Sequence, residues 1–458
     1  LDPNIKDRMV DALARHGADF ADIRTEQIES TRIAYRGGRL ESVTMQRDVG
    51  GIVRVLSHGR WGVASFNDLS DLPARVREAR ECADASADPG DVRLAPTEAY
   101  REDLPAPMLN DWREVPLAAK QELVQGYSDL LMSQPQIQDA RASLDERFSK
   151  CYYASSEGAL IYDERPHATL GLGATARDGS EVQNASRSVS TRYDHLTLHG
   201  RQEEALEAAR RARTLLTAAP VKGGRYTVIL SPDMGGLFVH EAFGHLSEAD
   251  FQADNPQAQE MMPMGRRFGR PILNIIDDGS LPGLRGYLKY DDEGVPTRET
   301  YLVREGVLVG RLHQRESAGM MGEGLTGNAR ATFYRYPPIV RMTNTMIAAG
   351  TTTFEEMLAD IKLGVYAVNS GGGQTMLENF AFACPGAYMI RDGQIAEMVR
   401  DVNFGGNLFT TLDNIDAVGN DFRWSPAGGG CGKGQETWLP VGMGAPHVRV
   451  QEVLIGGK

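Results

Sequence analysis

An α+β fold, in which helices and mostly antiparallel strands occupy separate stretches of chain, is what this 458-residue sequence predicts. Three observations carry that expectation. Strand-like runs recur in pairs around glycine turns. Helical stretches occur singly and do not alternate regularly with strands, as a doubly wound parallel sheet would require. The texture changes near residue 221, beyond which glycine runs and short strands dominate. Two domains follow: an N-terminal α+β domain over 1–220 and a C-terminal domain over 221–458. No repeat of solenoid period is present.

The elements can be justified in order. Residues 3–16 carry apolar side chains at Ile5, Met9, Val10, Leu13 and Ala14 and stop at Gly17, a helix pattern. "RIAYRGGRLESV" reads as a hairpin turning at Gly37-Gly38, and "GGIVRVLSHGRWGVASF" as a second one turning near Gly59. "DLPARVREARECADAS" is a helix with Pro73 in its first turn, and "PLAAKQELVQGYSDLLMSQ" is another. Strands follow from about 137 to 192, with a turn at Glu157-Gly158. Helix 201–217 ends in the basic run "RRART", read as a solvated face, and leads into "AAPVKGG", a linker.

The second half opens with the strand "RYTVILSP" and the helix "DMGGLFVHEAFGH". Short strands follow in "PILNII", "ETYLVREGVLVGRL", "RMTNTMIAAG" and "HVRVQEVLIGG". "TFEEMLADIKLG" is a helix with a capping box from Thr353 to Glu356 and Gly364 past its end. "DDEG" at 291–294 reads as a β-turn, with a second metal site as the lesser alternative. The glycines of "GGGQ" at 371–374 either bend a strand or let a peptide backbone approach.

The formal net charge of −13 argues against a nucleic-acid or anionic-membrane surface. No apolar run is long enough for a membrane-spanning helix. Cys82, Cys151, Cys384 and Cys431 are far apart with no C-x-x-C, which fits a reducing, cytoplasmic setting better than a disulfide framework. The N-terminus has no signal-peptide core, although Leu1 in place of Met leaves room for a leader removed before it.

The chemistry concentrates in "FVHEAFGHLSEAD" at 238–250. His240 and His245 bracket Glu241 as in the zinc signature H-E-x-x-H, but with one residue too many. In a regular helix, positions i and i+4 lie roughly 40° apart around the axis, whereas i and i+5 lie about 140° apart. Two local changes restore convergence. One is a π turn, which brings i and i+5 together. The other is a helix end at Gly244 in a left-handed conformation. Without either, these are ordinary helix and cap histidines. A catalytic zinc takes three protein ligands and leaves one position open. By chemistry the third is Cys384, Cys431, His313, His447, Glu248 or Asp250, with Cys431 favoured because the glycines of "GGGCGKG" let a loop thiolate approach closely.

Beyond that motif, "HEAFGH" at 240–245, "YDDEGVPT" at 290–297, "RMTNTMI" at 341–347, "GVYAVNSGGGQ" at 364–374, "VGND" at 418–421 and "CGKGQETWLPVGMGAP" at 431–446 occur in fixed order. In these the chain resembles the TldD side of the TldD/PmbA (TldE) family across roughly residues 220–458, and more loosely in "GGRLESV" and "GGIVRV". The resemblance implies a zinc metallopeptidase acting on unfolded or modified peptides. His240, His245 and Cys431 would be the zinc ligands and Glu241 the general base. The partner would be a TldE/PmbA-like subunit in a heterodimer, or a second copy in a homodimer, enclosing the site. One departure stands after "CGK", where the family usually carries one more residue before Gly-Gln. Two other readings remain: a zinc-dependent enzyme cleaving another bond in a peptide-like natural product, and a non-catalytic peptide-binding subunit. The intact His240–Glu241–His245 set with Cys431 argues against the second.

Overall fold

The computed structural model describes residues 4–85, 89–253, 255–368, 371–376, 378–427 and 429–456. Pro3, Ser86, Asn369, Ser370, Gly428 and Gly457, which fall in the stretches read above, lie outside the described residues. The fold is α+β. The first half is built on a seven-stranded sheet in the order 60–66, 39–57, 20–36, 137–155, 160–178 and 101–104, with 181–191 also pairing 160–178. All of these pairings are antiparallel except 101–104 against 160–178. The two expected hairpins are one meander, because Arg39–Ser57 is a single 19-residue strand serving both turns. Both turns use left-handed glycine, at Gly37 and Gly38 and at Gly59.

Helices Leu117–Met132 and Gln202–Thr217 bury Val124, Tyr127, Leu131, Ala205, Ala208 and Ala212 in a core shared with Leu144, Leu170 and Leu172 of the sheet. Helices Ile5–Leu13 and Leu72–Asp84 pack on a second core with Ile23, Val53 and Val55. Asp71 caps the latter helix through the Ala74 amide, with Pro73 in its first turn as expected.

The second half contains a sheet ordered 373–376, 379–391, 363–367, 224–230, 448–456, 394–407 and 219–220. Strand Asn379–Arg391 also pairs with Gln394–Asn407, so five of these strands close on themselves around a core that includes Val228, Phe382, Val399 and Val450. The stretch read as a linker thus supplies a short edge strand, Ala219–Pro220. A six-stranded sheet lies beside it in the order 307–308, 299–304, 275–278, 344–347, 442–445 and 423–424.

One expected element is shorter. The capping box at Thr353 and Glu356 forms, but the helix runs only from Phe354 to Ala359. Gly364 lies inside strand Leu363–Ala367, where an added Cβ would sit 2.7 Å from the Thr227 carbonyl. Pairing with Gly224–Leu230 and Asn379–Arg391 overrides the weak helical continuation of "DIKLG".

"DDEG" is a turn, closed by the Gly294 amide on the Asp291 carbonyl at 3.1 Å. It is also buried, with Asp291, Asp292 and Glu293 each at most 3% exposed. Asp292 takes Arg165 at 2.8 Å and Arg24 at 2.9 Å, and Glu293 takes Arg54 at 3.0 Å and the Arg315 amide at 2.8 Å. Asp291 accepts from the backbone amides of Glu293, Val295 and Ala329. The turn's acids therefore fasten the second half onto arginines projecting from the first sheet.

Candidate metal centre

The helix bearing the motif starts at Pro232 behind the N-cap Ser231 and remains α-helical to Val239. From His240 to Gly244 it widens into a π turn. This is the first of the two repairs that the five-residue spacing demanded, and it brings the imidazoles together with ring centroids 5.3 Å apart. Gly244 is right-handed, with φ −58° and ψ −49°, so the left-handed helix end does not occur. Its glycine is needed for space instead. A Cβ there would meet the Met342 sulfur at 2.0 Å. Gly244→Ala is therefore expected to cost about 1–3 kcal/mol and to lower metal retention. Urea unfolding and metal content per chain check this, and a parent-like value for both would show that Met342 moves aside freely.

Cys431 lies 186 positions beyond His245, in a hairpin of Gly430–Lys433 and Glu436–Pro440. What brings it in is the glycine pair on the motif helix. Added Cβ atoms at Gly235 and Gly236 would stand 2.9 Å from the Ala445 Cβ and 3.0 Å from the Gly444 amide. The strand following the cysteine hairpin thus lies directly on the helix. The Cys431 sulfur comes within 3.3 Å of His245 Nε2, and one ligand atom from each of His240, His245 and Cys431 lies within 4.8 Å of the others. Donors sharing one tetrahedral zinc at bond lengths of 2.0–2.3 Å stand about 3.3–3.8 Å apart, so small side-chain adjustments fit the ion. His240 and Cys431 are buried, and His240 Nδ1 has no hydrogen-bond partner.

The electrostatics suit a soft cation. Burial raises the pKa of the Cys431 thiol, but the two imidazoles outweigh it and bring the thiol down to about 4, leaving a thiolate ready to ligate. Burial lowers the His245 pKa, and Glu248 with Cys431 overcomes it, raising the ring to about 11 in the metal-free chain. His245 Nδ1 donates to Glu248 at 3.1 Å, which leaves Nε2 facing the sulfur. Glu248 is itself held by Lys433 at 3.0 Å, and Lys433 also grips Asp250 at 2.6 Å. A Glu241 carboxylate oxygen is 3.9 Å from His245 Nε2. Its pKa is raised by burial, with the two histidines opposing. The Thr375 hydroxyl donates to the Glu241 carbonyl at 2.7 Å, tying the π turn to edge strand Gly373–Met376.

The other sequence candidates are used elsewhere. His313 bonds Ser317 and Glu323, His447 bonds Asp421 and Tyr366, and Cys384 donates to the Gly386 carbonyl in the core. Glu248 and Asp250 face the site from one remove, through His245 and Lys433. The roles of Lys433 and Thr375 were missed. Lys433 stood in the "CGKG" run, two residues from Cys431, but nothing local announced its carboxylate partners.

His240 and Glu241 open on a cleft of about 890 Å³ lined from both halves of the chain, by Gly171, Asn184 and Ser186 of the first sheet and by Gly371–Gly373 and Gly430 of the second half. Two imidazoles, a thiolate and a half-buried carboxylate at the wall of a large cleft are what a metallopeptidase presents. Models of one such family match three successive parts of the chain: PmbA/TldA metallopeptidase domain 1 over 21–88, the central domain over 110–216 and the C-terminal domain over 223–457. The chain belongs to the PmbA/TldA metallopeptidase family.

A metalloprotease of Synechocystis sp. is 43% identical over 442 residues, covering 96% of this chain and 95% of the relative. A zinc metalloprotease TldD homolog of Saccharolobus solfataricus is 29% identical over 460 residues, covering 96% and 97%. The crystal structure of TldE from Thermococcus kodakarensis has the same fold, with a TM-score of 0.77 at 17% identity, covering 99% of this chain and 100% of the other. Among the described residues no helix is long and apolar enough to cross a membrane.

Proposed function

We propose that the chain is a zinc-dependent peptidase of unfolded or modified peptides, with His240, His245 and Cys431 as ligands and Glu241 as general base. The observation that carries this reading is the convergence of the three donors within 4.8 Å, with the Glu241 carboxylate 3.9 Å from His245 Nε2. What zinc supplies there when bound is Lewis acidity, toward a water whose pKa it brings to about 7 and toward the scissile carbonyl.

The residues do the rest. Glu241, raised by burial, accepts the proton of the attacking water and returns it to the leaving amine. Glu248 fixes the His245 tautomer, and Lys433 keeps Glu248 in place. Strand Gly373–Met376 is the free edge of its sheet and reaches Glu241 through Thr375, so an extended peptide can add along it by backbone hydrogen bonds that tolerate many side chains. The cleft's two walls support a division into units 1–220 and 221–458, with a second subunit, TldE-like or another copy, closing the open side. Four widely spaced cysteines with no C-x-x-C suit a cytoplasmic setting.

The test is metal analysis with chelation. The expected result is one zinc per chain, peptidase activity abolished by a strong chelator, and activity restored by zinc. A purified chain that binds no metal, or that cleaves peptides unchanged after the metal is stripped, would sink the reading.

A further inference from the structure

Beside the cleft lies a second cavity of about 660 Å³. Six arginines and four carboxylates line it. All four carboxylates are already matched: Glu26 by Arg147 at 2.9 Å, Asp145 by Arg32 at 3.4 Å, Glu146 by Lys120 at 2.5 Å, and Asp292 by Arg165 and Arg24. That leaves Arg192, Arg285 and Arg330 with no carboxylate partner among the described residues.

Their nitrogens are only partly occupied, and by neutral oxygens. Arg192 donates to the carbonyls of Tyr287 and Leu284, Arg285 to the Thr169 hydroxyl and the Gly429 carbonyl, and Arg330 to the carbonyls of Met342 and Pro440. Arg192 and Arg330 are each 4% exposed, and the buried Nε of all three arginines has no partner. His167, which also lines the cavity, has an unpartnered Nδ1. Burial, then the charge of Arg192, brings Arg285 down to about 10, and burial, then Arg341, brings Arg330 down to about 9. Guanidinium groups remain charged at neutral pH even so. Two buried cations and a half-buried one without a counter-charge are unfavourable unless an anion joins them. In a chain of net charge −13 this concentration of positive charge is local.

The cavity adjoins the cleft at the hairpin that carries Cys431. Trp438 lines both. Leu439 and Pro440 line the cationic cavity while pairing across the hairpin with Cys431 and Gly430. Arg330 donates to the Pro440 carbonyl at 2.7 Å, so the arginine cluster reaches the hairpin strand that pairs with the strand of Cys431.

We propose that Arg192, Arg285 and Arg330 form a carboxylate-binding subsite that anchors a peptide substrate by an anionic group while its backbone crosses the cleft. The planar guanidinium fork matches a carboxylate, and a charge-assisted pair removed from water is strong enough to select for one. The carboxylate comes either from the peptide's C-terminus or from an acidic side chain. The proposal rests on the peptidase reading, and it gives that reading a polarity.

The experiment uses a fluorescein-labelled unstructured peptide with no internal acidic residue, made as a C-terminal acid, as an amide, and as an amide ending in glutamate. Binding is measured by anisotropy on the zinc-loaded Glu241→Gln protein, and kcat/KM on the parent. The acid is expected to bind at least about tenfold more tightly than the amide. Arg285→Gln and Arg192→Gln are expected to abolish that preference. Recovery of binding by the glutamate amide assigns the subsite to side-chain carboxylates, and no recovery assigns it to the C-terminus. Equal binding and cleavage of all three forms overturns the subsite and leaves the peptidase reading intact. Failure to bind or cleave any of the three forms overturns the peptidase reading itself. If circular dichroism shows either variant unfolded, the acid–amide comparison with all three arginines in place decides alone.

Discussion

Glu241→Gln is expected to lower kcat for peptide cleavage by about two to four orders of magnitude while zinc content stays at the parent level. Glutamine keeps the size and the hydrogen-bonding reach of the side chain but cannot accept a proton at neutral pH. The carboxylate sits beside the donor set, 3.9 Å from His245 Nε2, without belonging to the three convergent ligands. Its loss should therefore fall on proton transfer and spare the metal. Cys431→Ser makes the contrast, because it alters one of the three proposed ligands and should lower metal content together with activity. Single-turnover cleavage and metal analysis on the same preparations separate the two. A Glu241→Gln protein as fast as the parent would remove the general base from the account.

The second large effect concerns stability. Asp292→Ala is expected to cost about 3–5 kcal/mol. Asp292 is 2% exposed and takes Arg24 at 2.9 Å, Arg165 at 2.8 Å and the Ala331 amide at 2.8 Å. Burial works to raise its pKa, and Arg165 and Arg24 hold it well below the usual carboxylate range. Removing the carboxylate leaves Arg24, its side chain 7% exposed, without a carboxylate partner among the described residues, and leaves Arg165, 17% exposed, with Asp163 alone. Denaturant unfolding with the slope checked for a single transition measures the loss. Replacing both partners, as in Arg24→Met with Asp292→Leu, should cost less than the sum of the single changes, because no unpaired charge is left behind. A loss under about 1 kcal/mol for Asp292→Ala would place the turn among ordinary exposed ion pairs.

Local features were the ones legible in the residues. The hairpin turns at Gly37-Gly38 and Gly59, the helix with Pro73 in its first turn and the capping box at Thr353 depend on a few neighbouring positions, and all formed. The π turn was legible for a related reason: five-residue spacing cannot converge on a regular helix, so the backbone had to widen or break. What the spacing could not show is that Met342, distant in sequence, fills the space beside Gly244 and leaves no room for a side chain there. Cys431 could be favoured from its glycine loop, but its meeting with His245 needed Gly235 and Gly236 to admit the strand 442–445. Helix 353–364 was read too long because sheet pairing at 363–367 competes with local preference and wins. The burial of "DDEG" was invisible for the same reason, since its partners are Arg24, Arg54 and Arg165. Lone arginines in a strand look like solvated residues until a cavity or a carboxylate gathers them.

The buried turn also has a consequence for the newly made chain. Arg54 leaves the ribosome 239 positions before Glu293, and Arg165 leaves 127 positions before Asp292. At about 5–20 residues per second, the interval is on the order of ten seconds. Throughout it Arg54 has only Asp22 and Arg165 only Asp163 of their carboxylate partners, so the first sheet should complete its ion pairs late, on arrival of the acidic turn, and stay open to chaperones until then.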